Sequence, residues 1–101
     1  MIGLETAVAV VLAAAGLGPG DLFARMSVAP ARLARLEGHG QLLAAGSPAT
    51  ITVIDPAREW VAEQFYSRSA NSPWRHRALA GRARHVLLRG RFTLRDEELE
   101  W

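Results

Sequence analysis

Five successive β-branched residues, Thr50-Ile51-Thr52-Val53-Ile54, constrain this chain more than any other stretch. Their stiffness at χ1 suits a pleated surface and disfavours a helix. Gly46 and Pro48 open the run and Asp55-Pro56 closes it with turn chemistry, so a strand is predicted between those bounds. Ile51 and Val53 fall on one face, Thr52 and Ile54 on the other, leaving no plainly wet face. Such a strand is expected to be covered on both sides. Helical patterning precedes it and β patterning follows it, so it marks a seam between two kinds of structure.

Upstream, Leu4, Val8, Val11, Leu12 and Ala15 recur at helical spacing and predict a helix over residues 4–15. Glu5 falls in its first turn, against the positive end of the helix dipole, and Gly16 supplies the stop. Apart from Glu5 and Thr6 almost nothing on this helix is polar. A helix apolar all round must be buried on most sides, and a chain of 101 residues can rarely do that. Covering surface is expected to be missing. Gly18-Pro19-Gly20 reads as a turn and Asp21 as the N-cap of a short helix ending at Met26. Pro30, entered from Ser27 or Ala29, reads as the first residue of a third helix carrying Leu33 and Leu36, ended by Gly38-His39-Gly40. Three short helices joined by tight loops are therefore expected.

Downstream, residues 58–62 suggest a second strand anchored by Trp60, and residues 64–77 an irregular segment turning at Asn71-Ser72-Pro73. Two further strands, 83–89 and 91–95, are expected to meet near Gly90. In the last, Phe92 and Leu94 share one face while Arg91, Thr93 and Arg95 share the other. Residues 97–101 are expected to fray.

Half of the residues are apolar, which excludes a disordered chain. There is no cysteine, so neither a disulfide framework nor a thiolate metal site is possible, and a reducing cytoplasm fits. The apolar run 7–17 is shorter than the roughly 20 residues that cross a bilayer. It also lacks the basic leader of a signal peptide, so no membrane partner is expected. Residues 67–95 carry eight Arg and no acid, and residues 96–101 then add four acids. Every basic residue is Arg. A nucleic-acid surface would use Trp74 among Arg68, Arg75, Arg77, Arg82 and Arg84 as a stacking platform. The reading preferred here is a Trp plugging a sheet while solvated arginines snorkel around it, because no nucleic-acid motif accompanies the charge.

No catalytic, cofactor-binding or metal residue is identified. His39, His76 and His85 form neither His-x-His nor His-x-x-x-His, and none lies beside a carboxylate at ligand spacing. Glu5, Asp21 and Asp55 sit at a helix start, a cap and a turn, so no carboxylate pair suits acid–base work. Gly16-Leu17-Gly18-Pro19-Gly20 has proline where a phosphate loop needs a backbone N–H. Ser67, Ser69 and Ser72 have no base placed to activate them.

Several segments together nonetheless match one pattern. Gly3-Leu4-Glu5-Thr6-Ala7 opens the first helix, Ala29-Pro30-Ala31-Arg32-Leu33 the third, and residues 46–56 follow with Trp60. Ser67-Arg68-Ser69-Ala70-Asn71-Ser72-Pro73-Trp74 then precedes Leu79-Ala80-Gly81-Arg82 and Val86-Leu87-Leu88-Arg89-Gly90. In order and spacing this resembles the C-terminal portion of the dihydroorotases, in the amidohydrolase superfamily, over nearly the whole chain. Two departures stand out. Ala29 replaces the Asn usual before the proline, removing a cap worth about 1 kcal/mol. Arg75-His76 replace an acidic-small pair.

The resemblance implies an α+β fragment: the last helices of a (β/α)8 barrel followed by C-terminal strands of a small β-sandwich. Residues 1–40 would be the terminal barrel helices and residues 41–101 the C-terminal part of the sandwich. It implies a cytoplasmic zinc hydrolase interconverting N-carbamoyl-L-aspartate and dihydroorotate in de novo pyrimidine synthesis. The zinc pair would be held by His-x-His, a carboxylated lysine, two further histidines and an aspartate. None of these maps here, and there is no lysine at all. The chain alone is therefore expected to bind no zinc and to be inactive. An oligomer is expected, and the alternative role is a non-catalytic scaffold partner of aspartate transcarbamoylase.

Overall fold

The computed structural model describes residues 1–100. Its centre is a four-stranded antiparallel meander, β1 (Ile51–Val61), β2 (Ala78–Leu88), β3 (Arg91–Arg95) and β4 (Glu98–Leu99), in the order β1-β2-β3-β4. The chain is thus an α+β assembly, helices first and sheet second.

β1 does not stop at Asp55-Pro56. It continues to Val61, so the two strands expected at 50–54 and 58–62 are one. Between the pairs Asp55↔Arg82 and Glu59↔Ala80, β1 advances four residues while β2 advances two, which is a bulge. Pro56 has no N–H to give a ladder and so sits where the ladder is already broken, on an edge strand. Asp55 Oδ1 accepts the Ala57 N–H at 3.0 Å, so the turn chemistry is real but local. Nor is β1 covered on both faces: Thr52 and Val53 are exposed, and Ile51 and Ile54 are half-buried.

β2 begins at Ala78, five residues before the expected start, because residues 78–82 pair with the extension of β1. At the β2–β3 hairpin Arg89 and Gly90 both take positive φ, 49° and 83°, as a two-residue turn of the twisted kind requires. Asp96 and Glu97 repeat this at 49° and 69° and return the chain into β4. Glu98–Leu99 is therefore paired, with Leu94↔Leu99 and Arg95↔Glu98 in register, where a frayed end was expected. Trp101 lies outside the described residues.

A 3-10 turn (Leu4–Thr6) leads into α1 (Ala7–Ala15), ended by Gly16 at φ 58°. α1 lies on β2. Thr6 and Ala9 are buried, while Val8, Val11 and Leu12 are half-buried. Gly81 makes the close approach possible: a Cβ there would stand 2.7 Å from Leu12 Cδ1, on a backbone with φ of +101°.

The second and third helices expected from sequence are one continuous helical stretch, α2 (Pro19–Phe23), a π-turn (Ala24–Val28) and α3 (Ala29–Leu33). Gly18 is the cap of α2 and Pro19 its first residue, so Asp21 lies inside the first turn and caps nothing. Pro30 cannot donate to the carbonyl four residues back, and its ring crowds it. The helix widens instead of ending, and the Ala29 N–H donates to Ala24 O, five residues back.

Large apolar groups find little cover. Among the described residues the buried hydrophobic ones are Ala9, Leu22, Ala31 and Ala62, whereas Leu4 is 91%, Leu33 87% and Leu42 88% exposed. The accessible surface is 7706 Å². A compact protein of this mass would show about 5,600 Å².

Candidate functional site

The three histidines are far from equivalent. His39 and His76 are exposed, the latter at φ 62°. His85 is half-buried on β2, where its Nδ1 accepts the Asp96 N–H at 3.2 Å and its ring meets Phe92 edge-on at 6.0 Å. His85 thus holds the β3–β4 turn against the sheet. Among the described residues no three His, Asp or Glu side chains converge as a metal site.

Arg58 of β1 and several arginines of residues 67–95 meet the acids at the end of the chain. Arg58 grips Glu97 through Nε–Oε1 at 2.7 Å and Nη2–Oε2 at 3.3 Å, and Arg82 reaches the same carboxylate at 3.4 Å. Arg84 lies 3.7 Å from Asp96, and Arg95 lies 3.0 Å from Glu100. The hydrogen bond from Arg58 holds the Glu97 carboxyl below its ordinary range, against burial, which raises it. The same bond raises Arg58. A hollow of about 310 Å³ is lined by Asp55, Arg58, Arg84, Asp96 and Glu97, charges that answer one another. A second, of about 350 Å³, lies under α3 beside Arg32, Arg35, Glu37 and His39.

The two central tryptophans are both engaged by groups of the chain itself. Trp60 Nε1 donates to Gly81 O at 3.0 Å, and the Arg82 guanidinium lies 4.8 Å from the ring centre. Trp74 carries the Arg77 guanidinium at 5.7 Å from its centroid.

The most organised polar feature is the head of the first helix. Glu5 Oε2 accepts the Tyr66 N–H at 2.9 Å and Oε1 the Ser67 N–H at 3.0 Å. Beside it, the Ile2 N–H donates to Asn71 O at 2.8 Å. Burial pushes the Glu5 carboxyl up, but the Tyr66 and Ser67 amides together with the Ser67 side chain outweigh it and the net shift is downward. Sequence reasoning gave Glu5 only a place at the helix dipole. The available signal was that Glu5-Thr6 is the lone polar pair on an otherwise apolar helix.

No family model matches the chain. Its fold is similar to that of D-hydantoinase, with a TM-score of 0.62 and 27% identity, over 73% of this chain and 16% of that one. That likeness defines the class as an amidohydrolase portion. Dihydroorotase from Streptomyces coelicolor is 42% identical over 108 residues, covering 98% of this chain and 24% of that protein. The Mycobacterium tuberculosis dihydroorotase is 39% identical, with the same two coverages of 98% and 24%. Dihydroorotase from Thermococcus kodakarensis is 35% identical over 96% of this chain and 24% of its own length. The chain belongs to the dihydroorotase family and corresponds to a C-terminal portion of it. It spans about a quarter of the length of these relatives.

Proposed function

We propose that residues 1–40 are the last helices of a dihydroorotase barrel and residues 41–101 the C-terminal share of its β-sandwich. The whole protein interconverts N-carbamoyl-L-aspartate and dihydroorotate in the cytoplasm, as an oligomer. What carries this reading is the match of dihydroorotases to 98% of the chain at up to 42% identity. The uncovered Leu4 and Leu33 support it, since a barrel surface would bury them.

Zinc chemistry belongs to the part of the enzyme these residues do not supply. The donor set here does not fit a zinc pair: His39, His76 and His85 are scattered, and no ligand cluster forms among the described residues. The chain's contribution is to cover and to hold, and it turns over nothing alone.

Joining the chain to the remaining three quarters of the Streptomyces coelicolor relative, in place of its matching segment, tests this. Hydrolysis of dihydroorotate is expected from the joined protein and not from the chain. Turnover by the chain alone, or a folded but inactive joined protein, overturns the reading. In the second case, retention of aspartate transcarbamoylase by the joined protein would establish the scaffold role instead.

A further inference from the structure

The loop between β1 and β2 is long, yet it is fastened along its length. At its start Glu5 takes the two successive amides of Tyr66 and Ser67, one on each carboxylate oxygen. At its middle Asn71 O takes the Ile2 N–H. At its end the His76 N–H donates to Ala62 O at 2.8 Å, and the Ala62 N–H to Arg77 O at 3.2 Å. Within the loop, Ser69 Oγ accepts the Asn71 N–H and Ser72 Oγ the Trp74 N–H, each at 3.2 Å. The loop is therefore a shaped object, and what it is pressed against is residues 2–6.

Those residues have a defined place in a (β/α)8 barrel. Each barrel helix begins where a βα loop ends, and the βα loops together form the catalytic face. On the dihydroorotase reading, on which this inference rests, residues 1–6 are the end of such a loop and the first turn of its helix. Thr6 is 2% exposed and bonds back to Gly3 O through Oγ1 at 3.2 Å, so the turn itself is tied.

We propose that Glu5 is a positioning residue: by gripping the amides of Tyr66 and Ser67 it clasps the β1–β2 loop to the head of α1, and so fixes the end of one βα loop at the catalytic face. It touches no reacting atom. The downward shift of its carboxyl keeps it charged, and gripping, throughout the neutral range.

The protein joined to the Streptomyces coelicolor segment is the place to test it, with E5Q, E5D and, as a remote control, E98Q. Gln offers one acceptor oxygen for two amides, whereas Asp keeps both oxygens on a shorter stem. E5Q is expected to raise the KM for dihydroorotate about tenfold and to change kcat by less than about twofold, a loss in positioning and not in chemistry. E5D should recover part of the KM, and E98Q should match the parent. In the 101-residue chain, the Tyr66 and Ser67 amides should exchange about tenfold faster in E5Q, while those of β1 and β2 keep their protection. A folded joined protein that is inactive with Glu5 in place overturns the enzyme reading. One that is active and indifferent to E5Q overturns the positioning role alone. Unchanged exchange at Tyr66 and Ser67 overturns the clasp itself.

Discussion

Leu33→Ala should cost almost nothing in this chain and a great deal in a whole enzyme. Leu33 lies at the end of α3 and is 87% exposed, so only about an eighth of it is withdrawn from water. Full burial of a leucine contributes about 1.5–3 kcal/mol, and an eighth of that is about 0.2–0.4 kcal/mol. Alanine is the better helix former by a few tenths, which cancels most of the loss. In the joined protein, a barrel surface over α3 makes the same substitution a buried truncation, with a cost of about 2–5 kcal/mol. Urea unfolding followed by far-UV circular dichroism, on both proteins with and without L33A, reads the two numbers directly. A loss above about 1 kcal/mol in the 101-residue chain would contradict the exposure of Leu33. Equal, small effects in the two proteins would refute the claim that α3 is built to be covered.

Three further outcomes follow from the packing and the ion pairs. Gly40→Ala would place a Cβ 2.8 Å from both Ala31 Cβ and Ser27 O on a backbone at φ +62°, and should cost about 2–4 kcal/mol in urea titrations. Trp60→Phe leaves the Gly81 carbonyl without its 3.0 Å indole donor and should cost about 1–2 kcal/mol, read as a lowered melting temperature. Glu5 and Glu97 are both held below the ordinary glutamate range when folded, so the stability they confer is complete above the unfolded pKa and is lost as pH falls through the folded values. Melting temperature should therefore hold from pH 7 to about 5 and drop below 4.5. E5Q and E97Q should each lower it at pH 7 and shrink the acid drop, and salt should weaken the contribution of Glu97 more than that of Glu5.

Local signals in the sequence were reliable where one conformation satisfies them. Gly16 ends α1, and Gly90 turns β2 into β3, because positive φ admits few residues. They misled where one residue type serves two geometries. Asp55-Pro56 reads as the end of a strand, yet the same chemistry builds a bulge on an edge strand. Pro30 reads as a helix start, yet a π-turn absorbs its missing N–H; without the Asn cap, Ala29 keeps helical φ and ψ of −65° and −46°. Long-range partners left no local trace. Glu5 meets Tyr66 and Ser67 across more than sixty positions, and Arg58 meets Glu97 across 39. The family pattern was legible because it lies in the order of several segments, and the fold is the reason those segments keep that order.

The distribution of uncovered surface says more than its total. The excess over a compact protein of this size is about 2,100 Å², against about 800 Å² per partner in an ordinary protein interface. One docking partner of ordinary size would leave most of it wet. Nor does the excess lie in one patch. Leu4 and Leu33 lie on the helices, Leu42 and Leu43 at 88% and 77% in the connection, and Val53 and Val61 at 43% and 48% on the edge strand. An autonomous binding module would concentrate apolar exposure at its site and seal the rest. Here the helical half and the sheet half are each short of a neighbour, and the segment joining them is short of one too. The assignment proposed above expects this pattern, with helices that would back onto a barrel and a sheet whose long outer strand still has an edge to pair.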